Sequence, residues 1–365
     1  MSKKHSRRHG LLFPLAFAYR MVIGLRNRLF DWKILPSEQF DIPVISVGNL
    51  TVGGTGKTPH TEYLIRLFKE KYRVAFLSRG YKRKTRGFLL ATPTDTTQEI
   101  GDEPHQIKVK YPDIHVAVDA DRRHAIHRLC KDSASKDVDV ILLDDAFQHR
   151  YVTPGVNIVL MDYNRPIYED AMLPAGTLRE PMSSLHRAHI IIVTKCPVDI
   201  KPIDFRVVTK HLGLRPYQRL FFTTFHYGDM RAFAAPHASK PLSTITESTH
   251  ILLVTGIASA QPMVEKLRGF THHVIHMEYA DHHDFTPAEL SAISDTFHQI
   301  EAADKLIITT EKDAARLSSL PLDEALTDNL YILPIEVQFL QDQQQSFDNY
   351  ITDYVSKNSR DRIVH

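Results

Sequence analysis

The chain has 365 residues, 43% of them hydrophobic and 24% charged, which excludes a disordered polymer and gives enough length for two domains. The formal net charge of +2 names no partner by itself. The two cysteines, Cys130 and Cys196, are too far apart for a metal-type spacing and fit a reducing compartment.

Charge is unevenly placed. Residues 1–33 hold Lys3, Lys4, Arg7, Arg8, Arg20, Arg26, Arg28 and Lys33 against Asp31, so this end carries +7 and the rest, by subtraction from +2, carries −5. Leu11 to Tyr19 is uncharged, Arg20 interrupts, and Met21 to Leu25 resumes the apolar run. Neither run reaches the roughly 20 residues of a membrane span. A basic start before an apolar run has the form of a signal peptide, but Arg26, Asn27 and Arg28 stand where a small-residue cleavage site belongs. A helix lying in a membrane interface fits better, with Phe13, Phe17, Met21, Leu25, Leu29 and Trp32 toward lipid and Arg20, Arg26 and Arg28 toward anionic headgroups. The plainer alternative is a basic helix packed on its own domain.

Next comes Pro43 to Pro59, around which the chain is organised. A β-branched run, Val44 to Val47, breaks into Thr51-Val52-Gly53-Gly54-Thr55-Gly56 and then starts a helix at Lys57-Thr58. Strand, glycine loop and helix in that order make a phosphate cradle, with backbone N–H groups and the helix N-terminus facing an anion. Lys57 is placed to reach the β- and γ-phosphates, and the Thr58 hydroxyl to ligate Mg²⁺. The first glycine of the usual pattern is replaced by Thr51, and Gly53 and Gly54 supply the flexibility instead.

From residue 40 to 215 strands and helices alternate. Strands are expected at 73–78, 115–118, 138–143, 156–161 and 190–194, with a helix from Asp121 to Cys130. Near-continuous aliphatic strands alternating with helices predict a parallel sheet covered on both faces. Gln218 to Phe225 reads as a strand leaving this domain. A second α/β unit follows, with strands at 250–256, 273–277 and 305–310 and a helix from Ser259 to Leu267; Tyr331 to Val337 is placed to pair with 218–225. Residues 356–365 read as a polar, frayed end.

Asp144-Asp145 closes the most apolar strand, where P-loop enzymes hold Mg²⁺ or its water; the plain reading is a helix cap. Gln148, His149 and Arg150 follow on the same rim. In Gly101-Asp102-Glu103-Pro104 the acids also suit a helix cap, but beside a P-loop a substrate hydroxyl needs a base, which makes Asp102 a candidate. In Asp281-His282-His283-Asp284 the residues are adjacent, so one helix face cannot present them together, and one histidine acting as an acid/base partner fits better than a metal cage. Arg79, Lys82, Arg83, Lys84 and Arg86 form a basic cluster, either a solvated face or a seat for an anionic substrate. Arg179 lies in a Pro/Gly-bounded loop, 173–181, suited to a lid or phosphate clamp. Thr194-Lys195-Cys196-Pro197 puts Pro where guanine reading needs Asp, which favours ATP over GTP.

Taken together, residues 46–59, Ser78-Arg79-Gly80-Tyr81, Gly101 to Pro104, Asp144-Asp145-Ala146-Phe147-Gln148-His149, Leu173 to Pro181, Asp281-His282 and Thr310-Glu311-Lys312-Asp313-Ala314 resemble the tetraacyldisaccharide 4'-kinase family, the lipid A 4'-kinases. The resemblance spans about residues 10 to 337; one departure is Ala146, where the family often has Gly. It implies an α/β fold with a P-loop NTPase-like parallel-sheet domain, a second smaller α/β domain, a two-stranded linker and an N-terminal membrane-interface helix. The expected bounds are 1–36 for the membrane segment, 37–217 for the P-loop domain, 218–227 and 330–338 for the linker, 228–329 for the second domain and 339–365 for a C-terminal tail.

The resemblance further implies transfer of the ATP γ-phosphate, with Mg²⁺, to the 4'-hydroxyl of a tetraacyldisaccharide 1-phosphate at the cytoplasmic side of an inner membrane, with no nucleic-acid partner. On matching positions Asp102 and His282 would form the base dyad. Thr51, Val52, Gly53, Gly54, Thr55, Gly56, Lys57 and Thr58 would bind ATP. Thr58, Glu103, Asp144 and Asp145 would hold the metal, and Arg79, Gln148, His149 and Arg179 would line the substrate and γ-phosphate region. The rival reading is a P-loop switch or metallochaperone ATPase, which needs neither a hydroxyl acceptor nor a lipid-seeking N-terminus.

Overall fold

The structure, a computed structural model, describes residues 3–359 except 236, 237, 258, 282 and 319. A long helix, α1 (Lys3–Asp31), precedes the first sheet. The β-branched run becomes β1 (Val44–Asn49), buried at every position, and the glycine loop feeds α2 (Lys57–Phe68). Then follow β2 (Val74–Ser78), β3 (Leu89–Leu90), α3 (Thr97–Ile100), α4 (Asp102–Lys110), β4 (His115–Val118), α5 (Arg122–Lys131), β5 (Val140–Asp144), β6 (Val156–Asp162), β7 (Ile190–Thr194), α6 (Pro202–Leu212) and β8 (Arg219–Tyr227).

A second unit is inserted here: β9 (Met230–Ala232), β10 (Ser239–Lys240), β11 (His250–Thr255), α7 (Gln261–Arg268), β12 (Val274–Glu278), α8 (Pro287–His298), β13 (Lys305–Thr310), α9 (Glu311–Leu317), α10 (Glu324–Asn329) and β14 (Leu330–Leu333). The chain then returns through β15 (Ile335–Phe339) and ends in α11 (Gln344–Asn358).

The first sheet runs β15-β8-β7-β6-β1-β5-β2-β4-β3 and the second β10-β9-β14-β13-β11-β12. β1 is central and parallel to both β5 and β6, with Val47 beside Asp144 and Gly48 beside Val159. That register brings Asp144-Asp145 to the same carboxyl edge as the glycine loop, where open α/β sheets bind ligands. The stretch 331–337 divides at Pro334. β14 joins the second sheet parallel to β13, and β15 pairs antiparallel with β8, Val337 opposite Phe225.

Strand alternation sorts the first domain's core into two faces. Ile45, Val47, Val140, Leu142, Ile158 and Leu160 point to one, covered by Leu64, Ile65 and Phe68 of α2, Ile107 of α4, and α11. Val159, Met161, Ile191, Val193 and Phe222 point to the other, with Ala16 of α1 and Val208 and Leu212 of α6 packed on them. Farther along that face Ile141 and Leu143 meet Ala125, Ile126 and Leu129 of α5.

The C-terminal stretch departs from the expected tail. Residues 344–358 are helical, and Phe347, Ile351 and Val355, spaced i, i+4, i+8, are buried against the first sheet. Residues 356–358, expected to fray, complete this helix; 360–365 lie outside the described residues. Phe347 contacts the rings of Tyr63, Phe221 and Phe339. Phe347→Ala is expected to cost about 3–5 kcal/mol, read by denaturant unfolding; a loss below about 1 kcal/mol would mean that α11 is not part of the core.

Helix α1 packs on the domain, as the plainer alternative expects, and leaves an apolar side exposed. One side docks on the domain. Phe30 meets Tyr151 edge-on at 5.0 Å, Tyr19 Oη donates to the Arg179 carbonyl at 3.1 Å, and Arg150 donates to the Asn27 carbonyl and to Asp31. Arg26, expected at headgroups, turns inward to donate to the Gln148 carbonyl at 2.9 Å. On the other side Phe13, Phe17, Met21, Leu25 and Trp32 are exposed, while Leu29 is half-buried. No helix among the described residues is long and apolar enough to cross a membrane.

Candidate active site

The glycine loop is held from several directions. Gly53 and Gly56 have φ of 101° and 85°, the left-handed region that favours glycine. A Cβ on Gly56 would meet the Phe225 ring at 2.5 Å. Asn49 Nδ2 donates to Thr55 Oγ1 at 2.8 Å, and Thr194 Oγ1 to the Thr55 carbonyl at 2.9 Å. Thr51 forms an isolated bridge to Leu178, and Val52 N donates to the Thr177 carbonyl at 2.9 Å, so the 173–181 loop is laced onto the cradle. Lys195 reaches the Gly54 carbonyl and Asp162. Neither Lys195 nor Asp162 was expected in this role.

At the start of α2, Lys57 Nζ lies 3.7 Å from Asp145 Oδ1, and Thr58 Oγ1 donates to Glu103 Oε1 at 3.4 Å. Arg179 forks onto Asp145 at 2.7 and 3.0 Å and also donates to Asn49 Oδ1. Asp145 has φ 44°, an uncommon conformation outside glycine that turns its carboxylate toward both cations. Gln148 Nε2 donates to the Asn49 carbonyl at 2.8 Å. The structure thus gathers Lys57, Thr58, Glu103, Asp145, Gln148 and Arg179, from four separate stretches of chain, into one network.

Electrostatics divides the acids. Burial, then the charges of Glu103 and Asp145, push the Asp144 carboxyl well above the usual range. Burial opposes ionisation of Glu103, yet Lys312 and Lys57 hold it below that range. Asp145, half-buried, is opposed by desolvation in the same way and held low by Lys57 and Arg179. Arg122, absent from the expected set, is buried beside these acids; burial lowers its guanidinium to about 10 against the pull of Asp144. His149 is lowered to about 4, first by burial and then by Arg122, so it is neutral near pH 7.

The second lobe supplies cations. Arg316 Nε and Nη2 donate to Asp102 Oδ2 at 3.1 and 2.9 Å. The Arg316 side chain is only 3% exposed and is braced by Asp313 Oδ1 at 2.9 Å and the Gly256 carbonyl at 3.2 Å. Lys312 Nζ lies 3.4 Å from Glu103, and Glu311 accepts from Lys110 at 2.6 Å. Lys312 was legible only as part of a motif, and Arg316 carried no signal beyond its place three residues after Asp313 on one helix face.

The expected partner of Asp102, His282, lies outside the described residues. Its neighbour His283 stacks on Tyr279 and shares its Nε2 hydrogen with Glu289 at 2.9 Å, tying the loop to the capping box Thr286–Glu289 at the start of α8. The basic cluster after β2 divides. Arg83 donates to the Gly87 carbonyl and Lys84 to Gln98, which shapes the loop. Arg79 is exposed and lowers the pKa of His149, so its charge is felt at the site.

Beneath the cradle, His60 packs with Nδ1 2.7 Å from the Gly56 carbonyl and Nε2 3.0 Å from Thr223 Oγ1. Burial lowers it from 6.5 to about 4, against that backbone bond. The unfolded chain therefore takes up this proton first, and stability present above pH 6.5 is lost as the pH falls toward 4. Thermal midpoints are expected to fall over that window, and less steeply in His60→Gln. Equal slopes in the two proteins would place the proton uptake elsewhere.

The oxygen donors fit Mg²⁺. Thr58, Glu103, Asp144 and Asp145 present hard ligands, and Asp144 Oδ1 is buried with no hydrogen-bond partner among the described residues. Among the described residues no set of three His, Cys, Asp or Glu forms an all-protein metal cage. Mg²⁺ bound through one or two carboxylates, waters and a nucleotide's phosphates has that pattern.

This site sits in a chain whose relatives are named. The family model described as tetraacyldisaccharide-1-P 4'-kinase matches residues 8–356. A tetraacyldisaccharide 4'-kinase of Phocaeicola vulgatus is 55% identical over 350 residues, 96% of each chain. The namesake from Bacteroides thetaiotaomicron is 49% identical over 360 residues, 96% of this chain and 94% of that one. Among solved structures, LpxK from Aquifex aeolicus in complex with ATP superposes with a TM-score of 0.73 at 26% identity, covering 95% of this chain and 99% of that one. On sequence, over nearly its full length, and on fold, the chain belongs to the tetraacyldisaccharide-1-phosphate 4'-kinase family.

Proposed function

We propose that the chain transfers the γ-phosphoryl group of ATP to the 4'-hydroxyl of a tetraacyldisaccharide 1-phosphate. The observation that carries this reading is the single network in which Lys57, Thr58, Glu103, Asp145 and Arg179 meet at the sheet's carboxyl edge, facing second-lobe residues that reach Asp102 and Glu103. A switch ATPase requires the first half of that arrangement and has no use for a base aimed at an acceptor.

In this reading the loop amides and Lys57 bind the β- and γ-phosphates, and Arg179 orients Asp145 while adding charge at the rim. Thr58, Glu103, Asp144 and Asp145 would hold Mg²⁺, which neutralises charge on the phosphates when bound. Asp102 accepts the proton of the sugar hydroxyl, and His282 is assigned as its orienting partner. Neutral His149, Gln148, Arg122 and Arg79 shape the acceptor side. The exposed apolar side of α1, on a segment carrying +7, supports a peripheral seat at an anionic membrane surface where an acylated sugar resides.

The test is ATP turnover with and without detergent-solubilised disaccharide lipid. Turnover that depends on lipid is expected. Equal or faster turnover without lipid would favour the switch.

A further inference from the structure

Helices α1 and α6 cover the same face of the first sheet. Leu12, Ala16 and Tyr19 share one apolar cluster with Phe205, Val208 and Leu212. Two helices laid on one sheet face turn their outer sides in the same direction. The inner stripe of α6 is Phe205, Val208 and Leu212, at helical spacing. Its outer stripe includes Ile203 and Val207, one turn apart and 57% and 41% exposed, with Val198 in the preceding turn 78% exposed.

Such residues are not scattered over the surface. Among the described residues sixteen large apolar side chains are exposed, and twelve lie either in α1 with its exit turn or between residues 198 and 217. Single exposed apolar residues are ordinary, but clustering on one face marks an interaction surface. The charge beside them is net basic, with exposed Lys201, Arg206 and Lys210 against exposed Asp199 and half-buried Asp204. Arg206 and Lys210, also one turn apart, are exposed, and neither has a carboxylate partner within salt-bridge distance among the described residues.

We propose that α6 is a second bilayer-docking element. Val198, Ile203 and Val207 enter the interface beside α1, and Arg206 and Lys210 meet anionic phospholipid headgroups. The proposal rests on the membrane reading of α1. The exposed apolar residues lie on the sheet face that also carries α1, and the charges complement an anionic surface, which favours a bilayer over a protein partner. One interfacial helix leaves the domain free to roll about its axis; two side by side fix the cleft at one angle to the lipid plane. Stable anchoring by weak elements takes more than one signal.

The experiment is sedimentation of the full chain with vesicles of phosphatidylcholine alone or mixed equally with phosphatidylglycerol. Ile203→Gln with Val207→Gln is expected to lower partitioning several-fold at any salt concentration. Arg206→Gln with Lys210→Gln is expected to lower it on anionic vesicles only, an effect lost in high salt. All four positions are exposed, so circular dichroism should match the parent. Phe17→Gln with Met21→Gln is the α1 control. If that control weakens binding while both α6 pairs bind like the parent, the α6 proposal falls and the α1 reading stands. A parent that sediments with neither vesicle overturns the α1 reading itself. Trp32 is the sole tryptophan, so Trp32→Phe with Val207→Trp places one reporter on α6. Quenching by brominated lipid is expected, and an unquenched reporter on sedimenting protein overturns the proposal, as it would if a protein rather than a bilayer covers this face.

Discussion

Lys57→Ala is expected to lower kcat by about 10³-fold, the scale of removing one preorganised charge from a transferring phosphoryl group. Lys57 stands at the first position of α2, where the helix N-terminus and loop amides already favour an anion, and its Nζ is 3.7 Å from Asp145. The loss should fall mainly on turnover, because the amides and glycine geometry that seat ATP remain. The fold should survive, since the cradle is braced by Asn49–Thr55, Thr194–Thr55 and Thr51–Leu178 rather than by this side chain. Lipid-dependent ATP turnover with a calorimetric ATP titration checks both parts. Near-parental turnover would remove the P-loop lysine from the mechanism.

The second large effect concerns the base. Asp102→Ala and His282→Ala are each expected to lower kcat by about 10²–10⁴-fold, the range of general base catalysis, with little change in ATP affinity. A carboxyl at its reference pKa near 3.9 is a weak base at neutral pH, so an orienting imidazole has a definite task. The two residues stand 180 positions apart in the sequence. The double variant should be barely worse than the worse single one, because residues acting as a unit are non-additive. Fully multiplicative losses would mean that they act independently. Arg316 enters the same arithmetic from the other side of the cleft: it holds Asp102 Oδ2 at 2.9 Å, so the carboxylate proposed as the base is tethered to the second lobe.

How much of this was legible in the residues follows from the range of each interaction. The cradle is local: strand, glycines and helix start lie within 17 consecutive residues, 43–59, and pattern is enough to find them. Asp144-Asp145 was legible because a carboxylate ending a buried parallel strand has one edge to occupy. Arg316 was not, since its partner Asp102 is 214 residues away and an Arg in a short helix looks like any surface cation. Arg122 was hidden for the same reason, its burial depending on β5 and α5 packing together. In α11 the stripe Phe347, Ile351, Val355 was present, but its polar surroundings masked it. The adjacent residues of Asp281–Asp284 argued against a metal cage, and His283 indeed bonds Glu289 at the start of a helix. Residues whose roles are set by a distant strand or lobe carry no local mark.

The measurement that bears most directly on the account is mass spectrometry of the lipid after incubation with the full chain, ATP and Mg²⁺. The predicted result is a tetraacyldisaccharide carrying one added phosphoryl group, placed by fragmentation at the 4'-position, and absent when Lys57→Ala replaces the parent. Consumption of ATP with the lipid recovered unchanged would contradict it.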